Sequence, residues 1–335
     1  SFAKAPGAVS TPPCTRTNPM LRRIVARPAS RITSRRVSAV TEFLSGVSLR
    51  LLDVGAANGA PTRWRPFARL LDYTAVEPDE RSQHSLVESR SDGFRTKNIV
   101  TRALWSKSQT ITLNLCRKPM ASSVFKPNHD FLRLFPDAGR FDIVGTAQLE
   151  ATTIDEVAEL NGTTFDGMKL DVQGAELEVL RGARIALEKT LFVEAEVEFV
   201  ALYENQPLFP EISAELATKG LVFMEFLHMY RWQPTTLDGT GQLVFADALF
   251  ARAPEDVARE DELTIRRYSA AVAMYSRGDL LTRLHRELSP GILASQVDSL
   301  ARQVSREVGN QKRRTDFLGR VLRRWDSNSQ GHLLY

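Results

Sequence analysis

The run Leu49-Arg-Leu-Leu-Asp-Val-Gly-Ala-Ala-Asn-Gly59 decides the fold. A short apolar stretch ends in an acid, Asp53, and the glycines Gly55 and Gly59 follow. Further on, Tyr73-Thr-Ala-Val-Glu-Pro78 repeats the pattern of apolar run and acid. Two parallel strands joined by a crossover bring both acids to one sheet edge, the edge where open α/β sheets take nucleotides. Gly55 lets the backbone turn sharply and approach a ligand, and Glu77 is placed to accept hydrogen bonds from both hydroxyls of a ribose. A dinucleotide fold asks for Gly-x-Gly-x-x-Gly, so that a pyrophosphate rests on a helix N-terminus. Here the pattern is Asp-x-Gly-x-x-x-Gly, with Ala57 where the second glycine would stand. An acid inside the first turn repels a pyrophosphate and suits a cationic ligand such as S-adenosylmethionine.

Outward from this run, short apolar stretches alternate with helical patterns as far as Arg252, the mark of a mostly parallel sheet covered on both faces. The expected strands are Leu49–Val54, Tyr73–Val76, Thr96–Ala103, Gly167–Val172, Leu191–Phe199, Leu221–Phe226 and Gln242–Phe250, with an extra strand or hairpin over Gln109–Leu115. Helices are expected over Asp79–Ser89, where Pro78 fits the first turn, and over Ala175–Leu187 and Leu208–Lys219. Lys118–Arg140, with three prolines, reads as a long irregular insertion of the kind that forms lids and binding loops. After Ala253 the pattern is helical only, over Asp261–Leu288 and Ile292–Trp325, punctuated by Ser289-Pro-Gly291.

The chain has 335 residues, 43% hydrophobic and 25% charged, with a net charge of +4. That is ordinary for a globular protein of one large domain or one domain with an appendage. No apolar run reaches the ~20 residues needed to span a bilayer. The only cysteines, Cys14 and Cys116, lie far apart, so a disulfide framework is not expected and a reducing cytoplasm is the default. The basic excess sits at the ends. Residues before about Val40 are rich in Arg, Ser and Pro, which fits a flexible arm or a transit peptide. Lys312, Arg313, Arg314, Arg320, Arg323 and Arg324 make a second cluster, a solvated helix face or an attractor of nucleic acid. The boundaries expected are a basic arm over residues 1–40, a catalytic domain over 41–253 and a helical extension over 254–335.

Three further blocks carry chemistry. In Met168-Lys-Leu-Asp-Val-Gln-Gly174, Lys169 and Asp171 share a strand face. Charges on a covered strand need partners or a task. In Leu191-Phe-Val-Glu-Ala-Glu-Val-Glu-Phe199, Glu194, Glu196 and Glu198 alternate with apolar residues and make a row of carboxylates. The row pairs with Lys169, polarises a substrate hydroxyl together with Asp171, or holds a hard cation such as Mg²⁺. In Leu202-Tyr-Glu-Asn-Gln-Pro-Leu-Phe209, Tyr203 and Asn205 either line a substrate cleft or cap the next helix. The five histidines show no metal-ligand spacing. His129, in the insertion, and His228, beyond a late strand, are candidate bases.

With these blocks in order, the chain resembles the FkbM family of S-adenosylmethionine-dependent methyltransferases. The resemblance rests on LLDVGAANG, YTAVEP, TTIDEVAEL, FDGMKLDVQGAELEVLRGA and LFVEAEVEFVALYENQPLF, and covers roughly Leu49 to Phe250. The family loop commonly reads Asp-Val-Gly-Ala-Asn-x-Gly, whereas here Ala57 takes the asparagine position and Asn58 falls one place later. The resemblance implies a class I methyltransferase, Rossmann-like, with a seven-stranded, mostly parallel sheet, helices on both faces and an added helical C-terminal region. It also implies O-methylation, often of sugars, glycolipids or secondary metabolites. S-adenosyl-L-methionine would be held by Asp53, Gly55, Ala56, Gly59, Glu77, Pro78 and Asp171, with Arg102, Ala103 and Leu104 bordering the adenine. Asp171 is the expected base, with Lys169 and Glu196 setting its electrostatics. His129, Tyr203, Asn205 and His228 are the expected substrate contacts, and no metal is assigned. The acceptor is expected to be a small molecule or glycan rather than nucleic acid, and the C-terminal helices are the expected site of any self-association. Two other classes stay open: a nicotinamide-dependent oxidoreductase, since Glu77 suits either ribose, and a nucleic-acid-directed methyltransferase or RNA-binding module, suggested by the basic ends.

Overall fold

Four of the six side chains of Leu49–Val54 are apolar and they fall on both faces, so the strand needs cover on both, and it has it. The computed structural model describes residues 32–57, 59–88, 93–160, 164–234 and 240–329. Among the described residues ten strands are formed: β1 Leu49–Val54, β2 Leu71–Val76, β3 Thr96–Val100, β4 Ala103–Leu104, β5 Gln109–Cys116, β6 Ile143–Thr152, β7 Gly167–Leu170, β8 Phe192–Glu198, β9 Leu221–Trp232 and β10 Gln242–Arg252. The helices are α1 Ser34–Leu44, α2 Glu80–Glu88, α3 His129–Leu132, α4 Ile154–Leu160, α5 Glu176–Arg181, α6 Ala186–Lys189, α7 Phe209–Ala217, α8 Pro254–Val257, α9 Glu262–Met274, α10 Gly278–Glu287 and α11 Ile292–Ser329.

Seven strands make the main sheet in the order β3-β2-β1-β7-β8-β10-β9. Its pairs are parallel except those of β10 with β8 and β9. The chain builds outward from β1 on one side, then returns to lay β7 on the other. The β1/β7 junction is therefore the point where the strand order reverses, the usual ligand crevice of such sheets. Alternation along the strands sorts the core into two layers. Leu49 and Leu51 pack with Phe192 and with residues of α1, α9, α10 and α11. Leu52 and Val54 pack with Met168, Leu170 and residues of α5 and α7 on the opposite face.

The expected elements are present with shifted ends. The third strand stops at Val100, because β3 pairs with β2 only as far as Val76. Ala103 and Leu104 instead join a second, three-stranded sheet, pairing with Ala151 and Thr152 of β6. The strand expected over Gln109–Leu115 is the third member of that sheet. The helix expected over Ala175–Leu187 breaks after Arg181. A Cβ at Gly182 would sit 2.1 Å from the carbonyl oxygen of Trp105, so only glycine allows that approach. The helix expected over Asp261–Leu288 is two, parted at Ser276, whose φ is +64°.

Part of the segment expected as a basic arm, from Ser34 on, is helical and packed against the fold. Residues 1–31, with Cys14, lie outside the described residues. From Ser34 the chain is α1, capped by the Thr33 side chain accepting from the Arg36 amide, and Val40, Phe43 and Leu44 are buried. Arg36 itself is fully buried against Glu307 of α11, with Nη2 2.9 Å from Oε1 and Nε donating to Oε2 over 3.2 Å. The C-terminal helices share one core with β1, β2 and α1. They are a cover for the sheet rather than an appendage. Glu307→Ala, which leaves the Arg36 guanidinium buried without a counter-charge, is expected to cost about 3–5 kcal/mol in urea unfolding. A loss under ~1 kcal/mol would mean the pair does not clamp the helices.

Candidate active site

Three backbone hydrogen bonds knit together the ends of β1, β2 and β7. The Gly55 and Ala56 amides donate to the Val76 carbonyl over 3.0 and 3.1 Å, and the Asp171 amide donates to Val54 over 3.1 Å. Gly55 has φ +80°, and a Cβ there would lie 2.0 Å from the Asp171 carbonyl oxygen. The glycine turn is thus what lets β1 and β7 end side by side. Over this edge opens a cleft of about 1830 Å³. A pocket for one drug-sized ligand runs to ~300–1,000 Å³, so there is room for a cofactor and an acceptor together.

One end of the cleft is lined by Gly55, Ala57, Glu77, Pro78, Ala103 and Leu104. Glu77 follows β2. Its amide donates to Val100 over 3.0 Å, and its Oε1 accepts from the Asp79 amide over 2.8 Å. Burial lifts its carboxyl to about 7. These residues fit an adenosine: a buried acid for the ribose hydroxyls and an apolar wall, Ala103–Leu104, for a base. When bound, S-adenosylmethionine would supply an electrophilic methyl group carried on a sulfonium.

The floor is made by two rows of side chains running across the strands. In the first, Asp53, Lys169 and Glu194 are direct neighbours on β1, β7 and β8. Lys169 Nζ lies 3.7 Å from Asp53 Oδ1 and donates to Asp171 Oδ2 over 3.2 Å. Asp53 Oδ2 accepts from the Tyr73 hydroxyl over 2.6 Å. Burial raises the Asp53 carboxyl to about 6, against the pull of Lys169. The Lys169 ammonium, although buried, is held above its usual range by Asp171, then Asp53, then Glu194. Glu194 Oε2 accepts from the Tyr275 hydroxyl at the end of α9 over 2.7 Å, and its Oε1 is 3.4 Å from Arg63. In the second row, the amide of Gln173 ties Asp171 (3.1 Å) to Glu196 (2.8 Å). Glu196 faces Asp247 of β10, which faces His228 of β9. Desolvation, then the charge of Asp171, pushes Glu196 well above the carboxylate range.

Of the expected site residues, Gly55, Glu77, Pro78, Ala103, Leu104, Lys169, Asp171, Glu196 and His228 line the cleft. The others stand elsewhere, for local reasons. Asp53 is fully buried beneath the cleft, occupied by Tyr73 and Lys169, so it braces the floor instead of forming the wall. Ala56 is packed in the core, and the Gly59 amide closes a turn onto its carbonyl. Arg102 is exposed between two sheets, with its charge felt by Glu156. His129 and Asn205 are exposed. The first opens α3, and the second holds a left-handed turn at φ +58°. Tyr203 is fully buried, its hydroxyl 3.0 Å from the Ala121 carbonyl and 3.1 Å from Gln173 Oε1. It positions Gln173 from behind. Asn58, the displaced loop asparagine, is outside the described residues. Glu198 is buried away from Lys169, near Glu176. Among the described residues no group of three or more His, Cys, Asp or Glu is arranged to hold a metal ion.

Four site residues went unnoticed in the sequence: Arg63, Gln173, Asp247 and Tyr275. Asp247 carried a usable signal, an acid in an otherwise apolar strand. Arg63 and Tyr275 carried none, since a loop and a helix end bring them in.

The family model for the methyltransferase FkbM domain matches residues 53–223, just over half of the chain. The chain belongs to the FkbM methyltransferase family. It is a methyltransferase that uses S-adenosylmethionine, and the oxidoreductase reading falls with that. Comparison with curated proteins yields no match. Among solved structures, the N-methyltransferase NodS from Bradyrhizobium japonicum, in complex with S-adenosyl-L-homocysteine, is 11% identical with a TM-score of 0.32, covering 65% of this chain and 85% of that one. Precorrin-6y C5,15-methyltransferase from Geobacter metallireducens is 8% identical with a TM-score of 0.31, covering 68% and 93%. Likenesses this distant bear on neither substrate nor mechanism.

Two outcomes follow for this FkbM protein. Lys169→Met leaves Asp53 and Asp171 without a counter-charge and should cost about 3–5 kcal/mol in denaturant unfolding; an unchanged midpoint would show that these acids do not rely on it. Burial also lifts Glu176 from an ordinary 4.5 to about 7. Its neutral form stabilises the fold below pH 4.5, and that contribution is lost as pH rises towards about 7. Glu176→Gln, permanently neutral, should therefore gain in melting temperature over the native chain between those values, and a pH-independent difference would reject this.

Proposed function

We propose that this FkbM enzyme methylates a hydroxyl oxygen of a sugar, glycolipid or related secondary metabolite, as a cytoplasmic enzyme acting on a small molecule or glycan. The observation that carries the reading is the continuity of the carboxylate and amide floor, Asp171, Gln173 and Glu196, with an aromatic wall that includes Tyr230, Trp232 and Phe245. Carboxylates and amides accept from hydroxyl groups, and aromatic faces suit the apolar face of a sugar ring. A phosphate-rich acceptor is disfavoured by the same acids, which argues against nucleic acid.

Within this reading, Glu77 accepts from the ribose hydroxyls, and Ala103 and Leu104 flank the adenine. Asp171 is turned into the cleft by Lys169 and Gln173. It accepts a hydrogen bond from the acceptor hydroxyl and aims an oxygen lone pair at the methyl carbon. Holding the reacting atoms in line accounts for much of the acceleration in such transfers. Lys169 Nζ, donating to Oδ2 over 3.2 Å, holds the Asp171 carboxyl in a fixed orientation for that contact.

Calorimetry above the Glu77 value of about 7, where its carboxyl is ionised, is expected to show S-adenosylhomocysteine binding that weakens roughly 10–100-fold in Glu77→Gln, the loss of hydrogen bonds to a charged acceptor, with no binding of NADH. Methyl transfer to a panel of free hexoses and alkyl glycosides, with the product examined by mass spectrometry, should yield a methyl ether. Transfer to amines alone, or to RNA in a salt-dependent manner, would overturn the proposal.

A further inference from the structure

His228 and Asp247 form a pair that the roles above leave unused. Both line the acceptor side of the cleft. His228 Nδ1 lies 3.0 Å from Asp247 Oδ2 and also 3.3 Å from Nη2 of Arg63. The two contacts demand opposite tautomers. An ionised carboxylate only accepts, so the Asp247 contact puts the proton on Nδ1. A guanidinium only donates, so the Arg63 contact needs a bare Nδ1. Arg63 has a second partner in Glu194, whereas His228 is the only hydrogen-bond partner found for the Asp247 carboxylate among the described residues. The shorter contact and this balance of partners favour Asp247. With Nδ1 protonated, Nε2 carries a lone pair, and it makes no hydrogen bond to the described residues.

The pair exists because of a bulge. β10 and β9 run antiparallel, with Ala248 opposite Phe226 but Asp247 opposite His228. A regular ladder would set Asp247 against Leu227 and turn His228 to the other face, since side chains alternate. The register shift at this point is the kind of irregularity that re-aims one side chain beside a site. It continues the second floor row by one place, from Glu196 through Asp247 to His228.

We infer that His228, held by Asp247, is the general base that takes the acceptor's hydroxyl proton. The inference rests on the O-methylation reading. In the step, the hydroxyl oxygen forms its bond to the methyl carbon as the carbon–sulfur bond breaks, with that electron pair staying on sulfur. The hydroxyl proton passes to Nε2, and the resulting imidazolium is balanced by Asp247 before the proton leaves to solvent. Asp171 then orients the hydroxyl and need not take its proton, which suits a carboxylate already engaged by Lys169 and Gln173. Asp247 is a positioning residue.

The tautomer decides the matter without any acceptor. Imidazole-¹⁵N-labelled full-length protein, with the His228 signals assigned through His228→Gln, is expected to show Nδ1 protonated and Nε2 bare. In Asp247→Leu the proton should move to Nε2 as Arg63 takes over Nδ1. Nε2 protonated in the native protein overturns the inference. On the alkyl glycoside panel, His228→Gln should lose roughly 10²–10⁴-fold in turnover while S-adenosylhomocysteine affinity stays within about twofold, and added imidazole should restore part of the turnover in His228→Ala. Full turnover in His228→Gln overturns the assignment while leaving O-methylation intact. Transfer only to amines in the native protein removes the O-methylation reading itself.

Discussion

Everything at the cleft depends on a single ammonium. Lys169 sits on the short central strand β7 with Asp53 beside it on β1, Glu194 beside it on β8 and Asp171 two residues on. An isolated carboxylate among packed apolar residues is costly, and this floor gathers several. Lys169, shared among Asp53, Asp171 and Glu194, with Arg63 beside Glu194, makes the arrangement tolerable. Because the partners come from three adjacent strands, the ammonium also fixes how those strands end relative to one another, and so where the cofactor and acceptor halves of the cleft meet.

The C-terminal helices enter the same network. Their apolar faces cover the sheet layer that holds Leu49, Leu51 and Phe192, and the last turn of α9 delivers the Tyr275 hydroxyl to Glu194. Trp64 donates to that same hydroxyl over 3.1 Å, and Arg63 lies over the Tyr275 ring at 5.4 Å. A region outside the recognisable family motifs thus supports the floor of the site.

The sheet was legible because its strands are apolar runs ending at acids and glycines, a pattern set by cover on both faces and by sharp turns. The roles of Lys169 and Glu196 were legible for the opposite reason, as charges where a covered strand should have none. Tyr203 and Asn205 misled because a tyrosine and an asparagine after a strand look alike whether they face a cleft or close a turn. Asp53 misled because its neighbour across the sheet, Lys169, draws it below the cleft, a contact that depends on pairing far along the chain. His228 was named as a candidate base, but its pairing with Asp247 was out of reach. A period-two reading assigns those residues their faces from an unbroken ladder, and a one-residue bulge reverses that for one of them.

The Arg36–Glu307 clamp has a consequence for how the molecule comes into being. Its partners stand 271 positions apart, near opposite ends of the described chain, and closing so long a loop is an entropic cost met only once the far end is present. During synthesis the chain emerges N-terminus first, at ~5–20 residues per second. Arg36 of α1 is therefore made 271 positions before the carboxylate that pairs with it. Sheet strands form beside a helix that is not yet anchored, and the layer containing Leu49 and Leu51 stays open to solvent. This layer can close only once the C-terminal helices that share its core are present.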